Sequence, residues 1–307
     1  MLLLLLVVVG ALLSAAPPAR AEEAFRLQVR TPPAGMTTDH ERSRYWLLDK
    51  ASGRLALTAL AEDGTVQGRM TSRDSLVDAA GIAYDAGELY VADIGGPRSE
   101  VTVLQIVEPW PGTDILKAVP FVLTYPDGKQ EGTAILLGRD GRLHLVTGGE
   151  TPGIYEAPMV PSSRAPNPLT RIADAPAGVT DGTVLSDGRW VLRTDTAVLT
   201  LDPQTHAVLG QTDIGTKEQG QVLTQALSGP AVLTAVGAQG LVTRTAVPGP
   251  QPTTAPAPAR TRAAAPRPDT ARGDAGASAL QQAGTMLALG AAAVVAVLVG
   301  FVVLIRR

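Results

Sequence analysis

Short apolar runs with period-two alternation recur along most of the chain, and helical periodicity is almost absent. Tyr45-Trp46-Leu47-Leu48, Glu88-Leu89-Tyr90-Val91, Val101-Thr102-Val103-Leu104, Leu143-His144-Leu145-Val146, Trp190-Val191-Leu192 and Val198-Leu199-Thr200-Leu201 are examples. Gly, Asp and Pro punctuate them, as expected of strands joined by tight turns. About twenty such runs fall between residues 22 and 247.

Four stretches repeat one pattern. Ala80-Gly81-Ile82-Ala83 precedes Glu88-Leu89-Tyr90-Val91, and Glu131-Gly132-Thr133-Ala134 precedes Arg142-Leu143-His144-Leu145. Asp181-Gly182-Thr183-Val184 precedes Arg189-Trp190-Val191-Leu192, and Gln219-Gly220-Gln221-Val222 precedes Ala231-Val232-Leu233-Thr234. The glycines lie 51, 50 and 38 residues apart. A 40–50-residue period in an all-β chain marks propeller blades. A further unit, Tyr45 to Met70, precedes these without the Gly motif. The fold class is therefore all-β, a β-propeller of five blades, with Phe25 to Val29 pairing beside the last strand to close the ring. Six compressed blades or a β-sandwich would use the strands as well.

The two ends depart from this pattern. Leu2 to Leu13 is too short to span a bilayer, and Ala19-Arg20-Ala21 follows it as an A-x-A cleavage site, so residues 1–21 read as a signal peptide. Gly284 to Ile305 carries no charge and no proline, and Arg306-Arg307 follows. Those positions make a helix of about 33 Å, enough to cross a bilayer with a two-residue cytoplasmic tail, 306–307. Residues 248–283 are rich in Pro and Ala, with four arginines and two aspartates, and read as a disordered stalk. The expected arrangement is thus a single-pass membrane protein with its N-terminus outside and the body, 22–247, extracellular.

Composition narrows the chemistry. There is no cysteine, so disulfides and thiol nucleophiles are excluded. The body holds 19 Lys and Arg against 27 Asp and Glu, a net charge near −8, which argues against nucleic acid as partner. No G-x-S-x-G occurs, and the three histidines, His40, His144 and His206, sit in different units without metal spacing. Glu131 and Asp181 occupy the same place in two repeats. With Asp49 and Asp93 they are the candidate ligand-binding residues, oxygen donors for a hard cation such as Ca²⁺ at the channel mouth. Acids at turns and strand starts also serve simply as solvated caps.

The order Trp46…Asp49…Ser52-Gly53, Asp78-Ala79-Ala80-Gly81-Ile82-Ala83, Leu89-Tyr90-Val91-Ala92-Asp93-Ile94-Gly95 and Val101-Thr102-Val103…Glu108-Pro109 resembles a group of secreted actinobacterial β-propeller proteins. Tyr125-Pro126-Asp127-Gly128, Glu131 and Thr180-Asp181-Gly182 add to the resemblance, which covers Trp46 to Arg193. It implies a propeller of undefined function, some members being labelled esterase-like or phytase-like. Where that group has Asp-Ile-Gly-Asp-Asn, this chain has Asp93-Ile94-Gly95-Gly96-Pro97, and Ala80 replaces an acid before the second inner strand, so two oxygen ligands are lost. The expected function is a binding or scaffolding module at the cell envelope, with a monomeric body, no resident cofactor, and an extracellular protein or glycan as partner. The alternative is a metal-dependent hydrolase.

Overall fold

Strands with continuous apolar runs need cover on both faces, and strands that alternate need it on one. Both kinds occur in the computed structural model, which describes residues 22–28, 32–49, 53–112, 115–214, 222–236 and 240–250. The segments expected as signal peptide (1–21), stalk (all but its first three residues), membrane span (284–305) and tail (306–307) lie outside the described residues. Among the described residues no helix is long and apolar enough to cross a membrane.

The chain opens with β1 (Glu22–Arg26) and then builds five antiparallel sheets. The first is β2 (Pro33–Asp39), β3 (Arg44–Asp49), β4 (Arg54–Leu60) and β5 (Val66–Ser75). The second is β6 (Ile82–Asp85), β7 (Glu88–Asp93), β8 (Glu100–Val107) and β10 (Val119–Thr124); the short β9 (Ile115–Leu116) between them pairs back, parallel, onto β5. The third is β11 (Gly132–Leu137), β12 (Leu143–Thr147), β13 (Gly153–Glu156) and β15 (Thr170–Asp174); β14 (Asn167–Pro168) adds, parallel, to β10. The fourth is β16 (Val179–Val184), β17 (Trp190–Thr194), β18 (Ala197–Leu201) and β19 (Val208–Asp213). The fifth is β20 (Val222–Gln225), β21 (Ala231–Val236) and β22 (Leu241–Ala246), completed by β1 as its outermost strand.

The innermost strands β2, β6, β11, β16 and β20 each touch the next, and β20 touches β2, so the ring is closed. Five buried clusters repeat that closure, one per seam between sheets. Trp46 and Leu57 meet Leu89 and Val91; Val103 and Phe121 meet Ile135 and Leu145; Leu136 and Val146 meet Trp190 and Leu192; Val191 and Val198 meet Leu223 and Val232; Val222 and Leu233 meet Tyr45 and Leu47. A sandwich has one such core between two sheets; five seams in a ring make a five-bladed propeller. Middle strands such as β12, β17 and β18 are buried at every position because neighbouring blades cover both faces. The outer β5 alternates.

Two sequence expectations need correction. The first blade does not begin at Tyr45 and does not lack the Gly motif: its inner strand is β2, with Gly35 in the repeated position. A Cβ on Gly35 would lie 2.9 Å from the Cα of Gly81 in the next blade, closer than any side chain tolerates. The closing strand is Glu22–Arg26 rather than Phe25 to Val29, paired antiparallel with β22. Just after β22, the Pro248 carbonyl accepts a buried bond from Thr200 Oγ1 at 2.9 Å.

Candidate functional site

The four acids singled out in the sequence sit at the face where inner strands begin. Asp49 ends β3, opposite Pro33. It is half-buried, its Oδ2 3.3 Å from the Thr58 hydroxyl, and burial holds its pKa above the ordinary value. Asp93 is buried; its Oδ1 accepts the Asp78 N–H at 2.7 Å and its Oδ2 the Val77 N–H at 3.0 Å, with Arg98 Nη2 3.1 Å away. It holds the loop that leads into β6. Asp181 is also buried: Oδ1 accepts its neighbour Gly182 N–H and Oδ2 the Leu223 N–H of the next blade, both at 2.8 Å. Burial pushes its pKa up to about 8, against the opposing pull of those two N–H groups and Arg193. Glu131 is exposed. Among the described residues no three His, Cys, Asp or Glu side chains converge as a metal-binding group, so these four do not assemble into one.

The opposite face is built differently. There the inner strands end, around an axial cavity of about 330 Å³. Every blade contributes: Thr38 from β2, Tyr84 from β6, Leu137 from β11, Thr183 from β16 and Gln225 from β20. The turns after the inner strands form its mouth, with Glu41, Asp85, Arg139 and Ser186. Its walls are fastened across blades. Thr38 Oγ1 and Thr224 Oγ1 are 2.7 Å apart, Gln225 Oε1 accepts the Ser186 N–H at 2.8 Å, and Gln225 Nε2 donates to Ser186 Oγ at 3.1 Å. Arg139 Nη2 donates to the Ser186 carbonyl at 2.7 Å. The lining thus offers hydroxyls, an amide and backbone groups held in fixed positions, with charges at the edge.

The edge over blades 1 and 2 is acidic. Tyr84 Oη donates to Glu41 Oε2 at 3.4 Å. Behind it Glu108, its side chain almost fully buried, accepts from Trp46 Nε1 at 3.0 Å and pairs with the Arg42 guanidinium. Asp39 is fully buried; Oδ1 accepts the Arg42 N–H at 3.0 Å, Arg44 Nε lies 3.9 Å from Oδ2, and the Tyr84 hydroxyl and the Glu108 carboxyl stand against the same carboxyl. Burial, then the charges of Asp39 and Glu108, raise the Tyr84 pKa well above the ordinary phenol range. Burial, then Asp39, also raises Glu108. Asp85 is raised by partial burial and by the charges of Glu41 and Glu88.

Sequence reasoning passed over this site because its residues carry no motif: they lie at the ends of inner strands, such as Asp85, and in the turns beyond, such as Ser186. It also left the histidines apart. The structure brings two together, with the His144 and His206 rings 4.8 and 5.3 Å from that of Trp190. His144 Nδ1 lies 3.1 Å from the Arg142 carbonyl and Nε2 3.6 Å from Glu156 Oε2. A groove of about 680 Å³ runs beside this cluster.

No protein-family model matches the chain, and no curated protein matches it. Solved structures do align. A streptogramin B lyase is 12% identical over 75% of this chain and 74% of its own, with a TM-score of 0.40. A gluconolactonase from Xanthomonas campestris is 15% identical over 76% and 99%, TM-score 0.43. A PQQ-bound aldose sugar dehydrogenase from Streptomyces coelicolor is 8% identical over 75% and 99%, TM-score 0.43. Likeness at this level carries no activity across to this chain.

Proposed function

We propose that the chain is a binding module of the cell envelope whose propeller takes a small, polar, hydroxyl-rich ligand in its axial cavity. The observation that carries this reading is the convergence of all five inner strands on one cavity lined by hydroxyl and amide groups already fixed by cross-blade bonds. Groups held in place before binding lose little freedom when the ligand arrives. The volume is at the small end for ligand pockets, which suits a small molecule or the terminal unit of a glycan. The apolar segments at 2–13 and 284–305 support export and a single membrane tether, and the motifs from Trp46 to Arg193 support kinship with the secreted actinobacterial propellers. A metal-dependent hydrolase would need carboxylates drawn together at a mouth, whereas Asp93 and Asp181 are taken up by backbone N–H groups.

Calorimetric titration of the protein with neutral monosaccharides is the test. Binding is expected in the wild type and lost in Thr183→Phe, which fills the cavity from its half-buried wall. Binding unaffected by that variant, with its circular dichroism unchanged, would overturn the axial site. Export is checked separately: protease added to intact cells should remove the body, and the mature N-terminus should be Glu22.

A further inference from the structure

Resting on the reading of residues 284–305 as a membrane tether, we infer that the propeller docks on the bilayer surface with the face where its inner strands end, through an apolar rim that includes Trp110. The first observation is how the exposed apolar side chains are distributed. Among the described residues seven large ones are exposed, and six of them belong to this one face. β8 runs in the same direction as the inner β6, so Val107, its last residue, and Trp110 just beyond it lie where β6 ends. Val119 opens β10 and Val208 opens β19, strands that start from that face. Met159 and Val160 follow β13 where it ends there. The seventh, Val77, is on the other face, its N–H held by Asp93. Apolar side chains scattered singly need no explanation, but six on one face with a tryptophan among them suit an interface with lipid.

The second observation is where the chain leaves the propeller. β22 ends at the same face, at Ala246; the Val247 N–H then bonds the Pro230 carbonyl and the Pro248 carbonyl accepts from Thr200. Residues 248–283 lead from there to the apolar segment. The tether therefore starts from the face that carries the rim, and as a flexible chain it reaches about 30–36 Å. Tethering turns a weak surface affinity into an intramolecular one, so a few apolar side chains suffice. The third is the loop that presents Trp110, 78% exposed. It is pinned on both sides: the Glu108 N–H donates to the Gly87 carbonyl at 2.8 Å, and the Gly112 N–H lies 3.3 Å from Met70 Sδ in blade 1. An indole held in this way loses little freedom on docking. The adjoining edge carries Glu41 and Asp85, so the surface that fits is one of neutral rather than anionic headgroups. The axial cavity opens on this face too, so docking turns its mouth toward the headgroups.

The test uses the full-length protein reconstituted into phosphatidylcholine vesicles, with or without bromine on the acyl chains. Trp46 and Trp190 are buried, so a quencher at the surface reads Trp110. Brominated lipid should lower the tryptophan emission, with Trp110 at a depth of about 5–10 Å in the interface, and Trp110→Phe should abolish the effect. A control moves the indole to the other face: in Trp110→Phe carrying Val77→Trp, brominated lipid should leave the emission unchanged while aqueous acrylamide quenches it. Equal quenching by bromine at positions 77 and 110, or none at 110 in protein that floats with the vesicles, would sink the docking inference and leave the tether standing. Trp110 shielded from acrylamide yet untouched by bromine would point to a protein partner, a second copy included, and would overturn the lipid assignment. Protein that does not float with the vesicles would overturn the tether reading and this inference with it.

Discussion

At the scale of single residues, Asp181 illustrates how a position can be conspicuous in the sequence and its role still hidden. The repeat marked it as a place where an acid recurs before an inner strand. What no repeat can reveal is that its carboxylate reaches the Leu223 N–H, in another blade 42 positions away. The acid is a staple between blades 4 and 5, opposite Arg193 in the ladder. In Asp181→Asn the amide oxygen can accept only one of the two N–H groups, and Arg193 keeps Asp195 as its neighbouring acid. A loss of about 3 kcal/mol is expected, read from denaturant unfolding. The pH dependence has a definite sign. Because burial raises this carboxyl above its unfolded pKa, to about 8, the unfolded chain loses its proton first. Its contribution to stability is then full below about pH 4 and declines as pH climbs toward 8. Relative to Asp181→Asn, the wild type should lose melting temperature over that interval; parallel curves would refute the assignment.

At the scale of elements, middle strands were the legible part. β3, β7, β12 and β17 are apolar runs because blades cover both their faces. β2 was not legible. Pro33-Ala34-Gly35-Met36-Thr37-Thr38-Asp39 holds one large apolar side chain, so hydropathy passes over it, yet nearly all of it is buried against the axis. Inner strands pack by closeness of backbones, and small residues are what that demands. Among the described residues the seams are unequal: five buried apolar residues form the one between blades 4 and 5, against eleven between blades 3 and 4. That contrast makes polar links such as Asp181 to Leu223 matter most where the apolar contact is least. The seam between blades 3 and 4 holds the imidazoles. Burial depresses the His144 pKa below its ordinary 6.5, outweighing Glu156 and Asp140, which raise it, while His206 lowers it further. The unfolded chain then takes up the proton more readily, so stability falls as pH drops below about 6.5. His144→Gln, which can still donate to the Arg142 carbonyl, should blunt that acid sensitivity. Equal loss of melting temperature between pH 7.5 and 5 in both proteins would show that protonation of His144 does not weaken this seam.

At the scale of the whole molecule, the repeat period pointed to five blades and left six open, and the contact of β20 with β2 closes the ring at five. Closing the ring is a long-range event, and the sequence placed the closing strand three residues late. Phe25-Arg26-Leu27-Gln28-Val29 alternates cleanly and Glu22-Glu23-Ala24-Phe25-Arg26 does not, so the pattern points late; pairing with β22 places the strand at Glu22–Arg26. The structure gives the closing strand two attachments. Its backbone pairs with β22 of blade 5, and its Phe25 side chain reaches blade 1, where the ring lies 5.9 Å from Tyr45 and fills the space a Cβ on Gly64 would need. Phe25 therefore bridges the first and last blades, alongside the inner strands, the cluster around Met36, Leu47 and Leu233, and the Tyr45 hydroxyl that accepts the Leu227 N–H at 3.0 Å. Phe25→Ala removes a buried aromatic and should cost about 3 kcal/mol. Removing residues 22–27 should do more, since it also frees the β22 edge, an unpaired row of N–H and C=O groups that invites strand addition between molecules. The expected outcome is a lower melting temperature in both variants, with concentration-dependent association in the truncated one alone, read by light scattering. A truncated protein that stays monomeric and melts with the wild type would show that the ring is held shut without β1.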